Sequence, residues 1–268
     1  MTTTTRRGPL YWPQMAFTIA VCAFLILPVA LSMLAGVSLN WQRGPAGGLT
    51  LQWIEQVWAL YAETVARSLA VALACLACDL ALGVPLAYVL VRRQSRWTRL
   101  VEELIMLPVA VPGLATALAL IILYGGLHDF RNSSAFILVG HVLFTLPFMV
   151  RSVLAVLSAI DVPTLEEGAA SLGAGPFRRL ATVVLPNARP GILAGSLMVV
   201  TLSIGEFNMT WMLHTPLTKT LPVGLADAYA SMRMEIASAY TVVFLLMIVP
   251  ALILLQLAAA SASRRSKS

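Results

Sequence analysis

The feature that most constrains this 268-residue chain is a succession of six apolar stretches, each about twenty residues or longer and nearly free of charge. A hydrocarbon core of roughly 30 Å is crossed by about twenty helical residues, and a span must satisfy its own backbone polar groups. The stretches predict spans over about 16–39, 64–91, 101–124, 135–157, 191–213 and 236–260. The expected fold class is therefore all-α: a polytopic membrane protein with one transmembrane domain covering residues 1–268. At 59% hydrophobic and 11% charged residues, the composition excludes an ordinary soluble domain.

Arg6 and Arg7 precede the first run, as in a secretory signal, but the run is long and no small-residue cleavage pattern closes it, so it reads as a span kinked at Pro28. Residues 40–62 read as a loop whose Trp41, Trp53, Trp58 and Tyr61 suit a membrane interface. The third run carries Pro108, Pro112 and Gly113 and is expected to be one kinked helix facing protein or a pathway. Residues 125–134 are a short turn, and the fourth run contains Pro147.

The longest polar interruption is DVPTLEEGAASLGAGPFRRLATVVLPNARPG, Asp161 to Gly191. Thr164 and Glu167 have capping-box spacing, in which Thr164 takes a free amide and Glu167 reaches back to the Thr164 N–H. Gly173 is placed to close that helix in the left-handed region, and Pro176 to open a second one. In the second helix Phe177, Leu180, Ala181 and Val184 form one apolar side, and Leu185-Pro186 is expected to end it. On composition alone, this hairpin fits a driven element and an amphipathic loop on the bilayer surface equally well.

Of the eighteen basic residues, thirteen fall on one side: Arg6, Arg7, Arg92, Arg93, Arg96, Arg99, Arg151, Arg178, Arg179, Arg189, Arg264, Arg265 and Lys267. The other five are Arg43, Arg67, Arg131, Lys219 and Arg233. The positive-inside rule then puts both termini and the hairpin in the cytoplasm. The net charge of +6 is scattered, with no stripe for nucleic acid. Lys219 and Lys267 are the only lysines and neither follows a glycine, so the chain has no phosphate-binding loop of the G-x-x-x-x-G-K type.

The hairpin resembles the EAA motif of binding-protein-dependent ABC transporter permeases, E-A-A, three residues, G, nine residues, I-x-L-P. Glu167, Gly168 and Ala169 stand at its start, Gly173 at the glycine, and Val183, Leu185 and Pro186 at its end. Gly168 replaces the usual alanine, at about 1 kcal/mol of helix propensity, and Val183 replaces isoleucine. Leu82 to Tyr88, Leu107 to Gly113 and Pro190-Gly191-Ile192 also look like this family. The resemblance implies a permease subunit of a bacterial inner-membrane importer whose hairpin docks on a separate ATP-binding subunit. The implied partners are two such subunits, a homologous or identical second permease, an extracytoplasmic solute-binding protein and membrane lipid. Substrate would pass by alternating access without covalent chemistry, so the chain would not be an enzyme. ATP and Mg would bind the partner, and this chain would hold no cofactor or metal. The importer group resembled carries polyamines, aminoalkylphosphonate, sulfate or ferric iron, with a polyamine-type solute as the expectation.

Asp79 and Glu206 place ionisable groups inside apolar runs, where a charge at the centre costs roughly 2.5–3.5 kcal/mol on an insertion scale. Glu206 reads equally as a lining of the translocation path or its gate, with Asn208 nearby, and as a group paired structurally between helices. For Asp79 a protonated or helix-bonded carboxyl is a sufficient alternative. Cys75 and Cys78 form C-x-x-C without a second pair to complete a metal site, and His141 and His214 are isolated. Leu225, Tyr229 and Met232 predict a short amphipathic helix on the outer face, to receive the binding protein or lie in the interface. The rival reading in another class is an ion-coupled secondary transporter using Asp79 or Glu206 without any ATPase.

Overall fold

The computed structural model describes residues 10–93 and 95–265 and divides into two compact units. Arg6, Arg7 and Lys267 lie outside the described residues.

The first unit joins residues up to Leu60 with Leu225–Val243. Its long helix is α1 (Tyr11–Gly36). Gly36 meets the backbone of Ser238 so closely that a Cβ would sit 2.7 Å from the Ser238 carbonyl carbon. Ser32 adds a hydroxyl contact to Thr241 at 3.3 Å. The chain then folds back on itself, Leu39 N–H to Gly48 O and Thr50 N–H to Val37 O, around one antiparallel bridge between Ser38 and Leu49. The Trp53 indole N–H donates to Ser38 O at 3.0 Å. Phe17, Phe24, Leu25 and Ile26 of α1 are exposed, a surface that hydrocarbon accepts and water does not.

The expected loop over 40–62 is corrected, because α2 (Gln52–Arg92) takes in Trp53, Trp58 and Tyr61. QWIEQVWALYA contains neither Gly nor Pro, so nothing stops the helix propagating into the polar region. The break between that amphipathic start and the span is a kink at Tyr61, φ −131° and ψ 17°.

The second unit comprises Tyr61–Gly224 and Phe244–Ser268. After α2, Ser95 caps α3 (Arg96–Ala110) in a reciprocal box with Thr98. The predicted third span is broken, not kinked: α3 and α4 (Gly113–Tyr124) meet at 102°. Pro112 excludes α geometry from the residue before it, and Val111 (φ −90°, ψ 132°) and Pro112 (φ −54°, ψ 134°) are both extended. The expected turn over 125–134 contains a short helix, α5 (His128–Arg131). The fourth span is α6 (Ser134–Leu157).

Beyond α7 (Val162–Ser171), α8 (Pro176–Arg179) runs through a π-helical segment (Leu180–Val184) into α9 (Leu185–Gly205). The result is one 30-residue helical rod, Pro176–Gly205. Leu185-Pro186 therefore does not end the second helix. Pro186 lacks an N–H and its ring pushes against the carbonyl one turn back. The wider π turn, closed by Leu185 N–H to Leu180 O, gives that ring room. The Asn187 side chain donates to Val183 O at 2.7 Å beside this turn.

The rod packs on α6 through Gly191-x-x-x-Gly195. A Cβ on Gly191 would meet Ser152 O at 2.5 Å, and one on Gly195 would meet Met149 Sδ at 2.7 Å. Small residues four apart let helices approach and pack in a medium that gives no hydrophobic drive between them. Around this seam Cys75, Met149, Val150, Val153, Leu157, Val184, Ala188 and Val199 form the largest buried cluster described.

The rod stops at Glu206, and α10 (Asn208–Leu213) follows. The predicted span over 191–213 is thus two pieces. Arg131 Nη1 donates to Leu213 O at 2.7 Å and closes α10 while its guanidinium lies over the Phe136 ring. Next, α11 (Leu221–Ala230) starts four residues before the predicted Leu225. It buries Leu221, Val223 and Ala228, leaving Tyr229 and Met232 exposed, and Met232 stands outside the helix at φ 57°. The last helix is α12 (Met234–Arg265). Among the described residues five helices are long and apolar enough to span a membrane, and the bent α3–α4 pair makes the sixth candidate.

Candidate functional site

The hairpin between α6 and α9 is set by its two caps. Asp161, not Thr164, caps α7: its Oδ1 accepts the Thr164 amide at 3.2 Å and its Oδ2 accepts the Thr164 hydroxyl at 2.6 Å. The expected capping box between Thr164 and Glu167 is corrected accordingly. Pro163 suits the first helical turn, so the helix begins earlier and Thr164 becomes its third residue. Those two hydrogen bonds hold the exposed Asp161 carboxyl below the ordinary carboxylate range.

At the other end Gly173 has φ 83°, as its place in the sequence predicted. Ala174 N–H reaches Ala169 O at 3.0 Å and Gly173 N–H reaches Ala170 O at 2.9 Å, the paired bonds of a Schellman closure. The chain then turns at Gly175 into Pro176.

The hairpin is fastened to the membrane helices by a residue the motif does not include. Glu166 is 3% exposed. Its Oε1 accepts the Tyr88 hydroxyl of α2 at 2.7 Å, and its Oε2 lies 3.4 Å from Arg92 Nε. Arg92 Nη1 in turn donates to the Tyr88 oxygen at 3.2 Å. The signal was available: Val162, Glu166 and Ala169 share one face of α7, so a carboxylate sits on the stripe that packs inward. Below it, an apolar cavity of about 240 Å³ between Val84, Pro85 and Tyr88 of α2 and Leu180 and Val184 of the rod lies against the buried cluster.

Among the motif residues, Glu167, Gly168 and Gly173 are exposed, and Ala169, Val183, Leu185 and Pro186 are half-buried. The predicted apolar side of the second helix splits. Leu180 and Val184 turn inward, whereas Ala181 is exposed and Phe177 is 88% exposed. The π turn changes the angle between successive side chains, so i, i+3, i+4 spacing no longer holds one face. With Leu172 at 89% exposed, Phe177 makes an uncovered apolar tip on the hairpin.

The acidic residues within the spans lie elsewhere. Glu206 has extended geometry (φ −68°, ψ 120°) and stands between the rod and α10. Its carboxylate caps α10, accepting the Met209 and Thr210 amides at 2.8 Å each and the Thr210 hydroxyl at 2.6 Å. His141 bridges the same group: Nε2 lies 2.8 Å from Thr210 Oγ1 and Nδ1 lies 2.8 Å from Ser203 Oγ. Because the Thr210 hydroxyl donates to Glu206, it accepts from Nε2, and a neutral ring then accepts from Ser203 at Nδ1. His141 is thus a connector between α6, α9 and α10, a role its isolation in sequence did not reveal. Asn208 is exposed at the start of α10.

Asp79 is fully buried in α2. Its Oδ2 lies 2.6 Å from Thr145 Oγ1, which is also 2.8 Å from His141 O and 3.1 Å from Cys75 Sγ. Asp79 and Glu206 therefore both reach α6, within one turn of each other at Thr145 and His141, but by separate contacts. Among the described residues no group of three His, Cys, Asp or Glu side chains could hold a metal ion.

Comparison with known proteins places this geometry. The molybdenum transport system permease protein ModB of Mycobacterium tuberculosis is 30% identical over 188 residues, covering 65% of this chain and 70% of that protein. ModB of Escherichia coli is 32% identical over 160 residues, 55% of this chain and 69% of its own. PhnV of Salmonella typhimurium, named for 2-aminoethylphosphonate transport, is 26% identical over 204 residues, 75% of this chain and 77% of its own. A bacterial ABC transporter that imports alginate shares the fold at TM-score 0.69 and 15% identity, over 94% of this chain and 95% of its own. The inward-facing MetNI methionine ABC transporter does so at 0.63 and 19%, over 79% and 98%. The model of the binding-protein-dependent transport system inner membrane component matches residues 79–266, hairpin, rod and both acidic sites included, and the chain belongs to that family.

Proposed function

We propose that this permease subunit forms half of an ATP-driven import pathway, with the α7–α8 hairpin as the element that a separate ATP-binding subunit moves. The carrying observation is mechanical. The hairpin is closed at Gly173, fastened to α2 through Glu166 and continuous with a 30-residue rod through the membrane region. A partner gripping the exposed tip of Leu172 and Phe177 would displace the rod as a body. Glu167, Gly168, Ala169, Val183, Leu185 and Pro186 shape that grip and its root. Two ATP-binding subunits carrying ATP and Mg, a second permease and an extracytoplasmic binding protein complete the assembly. Both termini and the hairpin face the cytoplasm, as the distribution of arginine supports.

For the substrate, the relatives named above point away from a polyamine: two belong to molybdenum systems and one is named for 2-aminoethylphosphonate. We infer a small oxyanion. Asp79 and Glu206 do not argue for a cation, since Glu206 is engaged by two amides and a hydroxyl and Asp79 by Thr145. In this reading Glu206 and Asn208 stand at the hinge of a gate, and Asp79 braces the path from behind.

The test is Gly173→Val in the assembled transporter. A β-branched residue at φ 83° is strained by about 1–2 kcal/mol. The variant should insert its spans and let ATP be hydrolysed, while uptake of molybdate or aminoethylphosphonate falls at least tenfold. Parental uptake in that variant would overturn the coupling role. Uptake that persists in vesicles lacking any ATP-binding subunit would decide for an ion-coupled secondary transporter.

A further inference from the structure

Where α2 ends, α3 begins and α6 ends, the second unit forms an open cavity of about 380 Å³. One wall is apolar, from Leu90, Val91 and Leu154. The other carries Arg99, Glu102, Arg151 and Ser158. Arg151 Nη1 lies 3.4 Å from Glu102 Oε1, so one of the two positive charges is already balanced. The Arg99 guanidinium has no partner among the described residues. The cavity therefore presents one uncompensated positive charge, guanidinium and hydroxyl donors, and an apolar floor.

The helix that forms its rim is built for the membrane surface. Trp97 is 77% exposed at the start of α3, and Leu100, Leu104 and Leu107 continue an exposed apolar face. An exposed tryptophan beside Arg96 and Arg99 belongs at headgroup depth, with the leucines directed to acyl chains. A ligand at that depth, with one negative charge and an apolar tail, is a lipid.

We propose that this cavity is a binding site for the phosphodiester headgroup of an anionic phospholipid. Arg99 and Arg151 take the phosphate oxygens, Ser158 adds a hydroxyl, and the first acyl carbons lie on Leu90, Val91 and Leu154. A zwitterionic lipid offers the same phosphate, but its ammonium cancels the charge that matches the cavity. A second cavity of about 400 Å³ shares Val91 and Ser158 and extends to Asp161 and Pro163, where the hairpin begins. A bound headgroup would thus adjoin the root of α7. The site stands on this geometry; only its assignment to the cytoplasmic leaflet rests on the orientation proposed above.

The experiment is native mass spectrometry of the full chain, released from detergent with phosphatidylglycerol or phosphatidylcholine of matched acyl chains. Phosphatidylglycerol should be retained preferentially, and Arg99→Gln and Arg151→Gln should each weaken its retention about fivefold. Arg93→Gln, just past the end of α2 but outside the cavity, should leave it unchanged, and Arg99→Lys should recover part of the loss. Equal retention of the two lipids, or equal losses in the Arg93 and Arg99 variants, would overturn the site. Displacement of phosphatidylglycerol by millimolar inorganic phosphate, with phosphate itself retained, would overturn the lipid in favour of a free anion.

Discussion

The Tyr88 hydroxyl donates to Glu166 Oε1 across 2.7 Å, tying the end of α2 to the inward face of α7. Glu166 is buried, and its second oxygen has only the 3.4 Å approach of Arg92. Tyr88→Phe leaves that carboxylate short of its one good donor. The expected loss is about 1.5–3 kcal/mol, the range for a hydrogen bond to a charged group. It should appear as faster amide exchange across Val162–Ser171. In a double-mutant cycle with Glu166→Gln the two effects should be strongly non-additive; simple additivity would mean that the pair does not hold the hairpin.

Glu206 offers a second test, because one carboxylate serves as cap and as the centre of a polar cluster. Glu206→Ala should cost about 1–2 kcal/mol, the upper range for a lost cap, by freeing the Met209 and Thr210 amides. Glu206→Gln keeps one acceptor and should fall between. If the Gln variant assembles normally and transports at the parental rate, Glu206 has no role in the path beyond capping α10.

Gly191→Ala probes the seam between the rod and α6. Its new methyl would press on the Ser152 carbonyl and Val153 Cα, both backbone-bound atoms that cannot swing aside. Overpacking of this kind costs about 1–3 kcal/mol. Thermal unfolding of the purified chain should show a lower midpoint, whereas Gly205→Ala, where a Cβ meets nothing within 4 Å, should not.

Asp161 gives a pH dependence of defined sign. Its folded pKa is depressed by the Thr164 hydroxyl and amide. Its contribution is therefore complete above the ordinary carboxylate value of about 3.9 and is lost as pH falls through the lower folded value. Between pH 5 and 8 the start of α7 should not change. A carbon-13 titration should give an Asp161 midpoint below about 3.9, and Thr164→Val should move it upward; an ordinary midpoint in the parent would contradict the cap.

The sequence made the spans, the hairpin and the conformation of Gly173 legible, because each follows from local chemistry: apolar length, turn residues and the absence of a Cβ. Pro186 shows where such rules stop. A proline reads as a stop, but a preceding π turn absorbs it, and nothing local announces that turn. At Pro112 the break was visible in the residues and its 102° angle was not, since packing of α4 sets it. The end of the rod at Glu206 has no proline, and the decision rests on a side chain choosing amides of the next helix. Glu166 was hidden by its neighbour: the motif drew the eye to Glu167, which is exposed, while the adjacent carboxylate does the fastening. The Gly191 and Gly195 pair, by contrast, could have been read directly from its spacing.

The uninterrupted run from Pro176 to Gly205 has a mechanical corollary. Thirty helical residues measure about 45 Å, so a tilt of about 5° imposed at Phe177 sweeps the far end through about 4 Å. The π turn at Leu180–Val184 and Pro190 lie within this run, and the helix continues through both. The first fully extended backbone that such a sweep meets is at Glu206, whose carboxylate holds two amides and a hydroxyl and lies 3.8 Å from His141 Nε2, so on the proposed coupling those contacts are the ones the sweep would load.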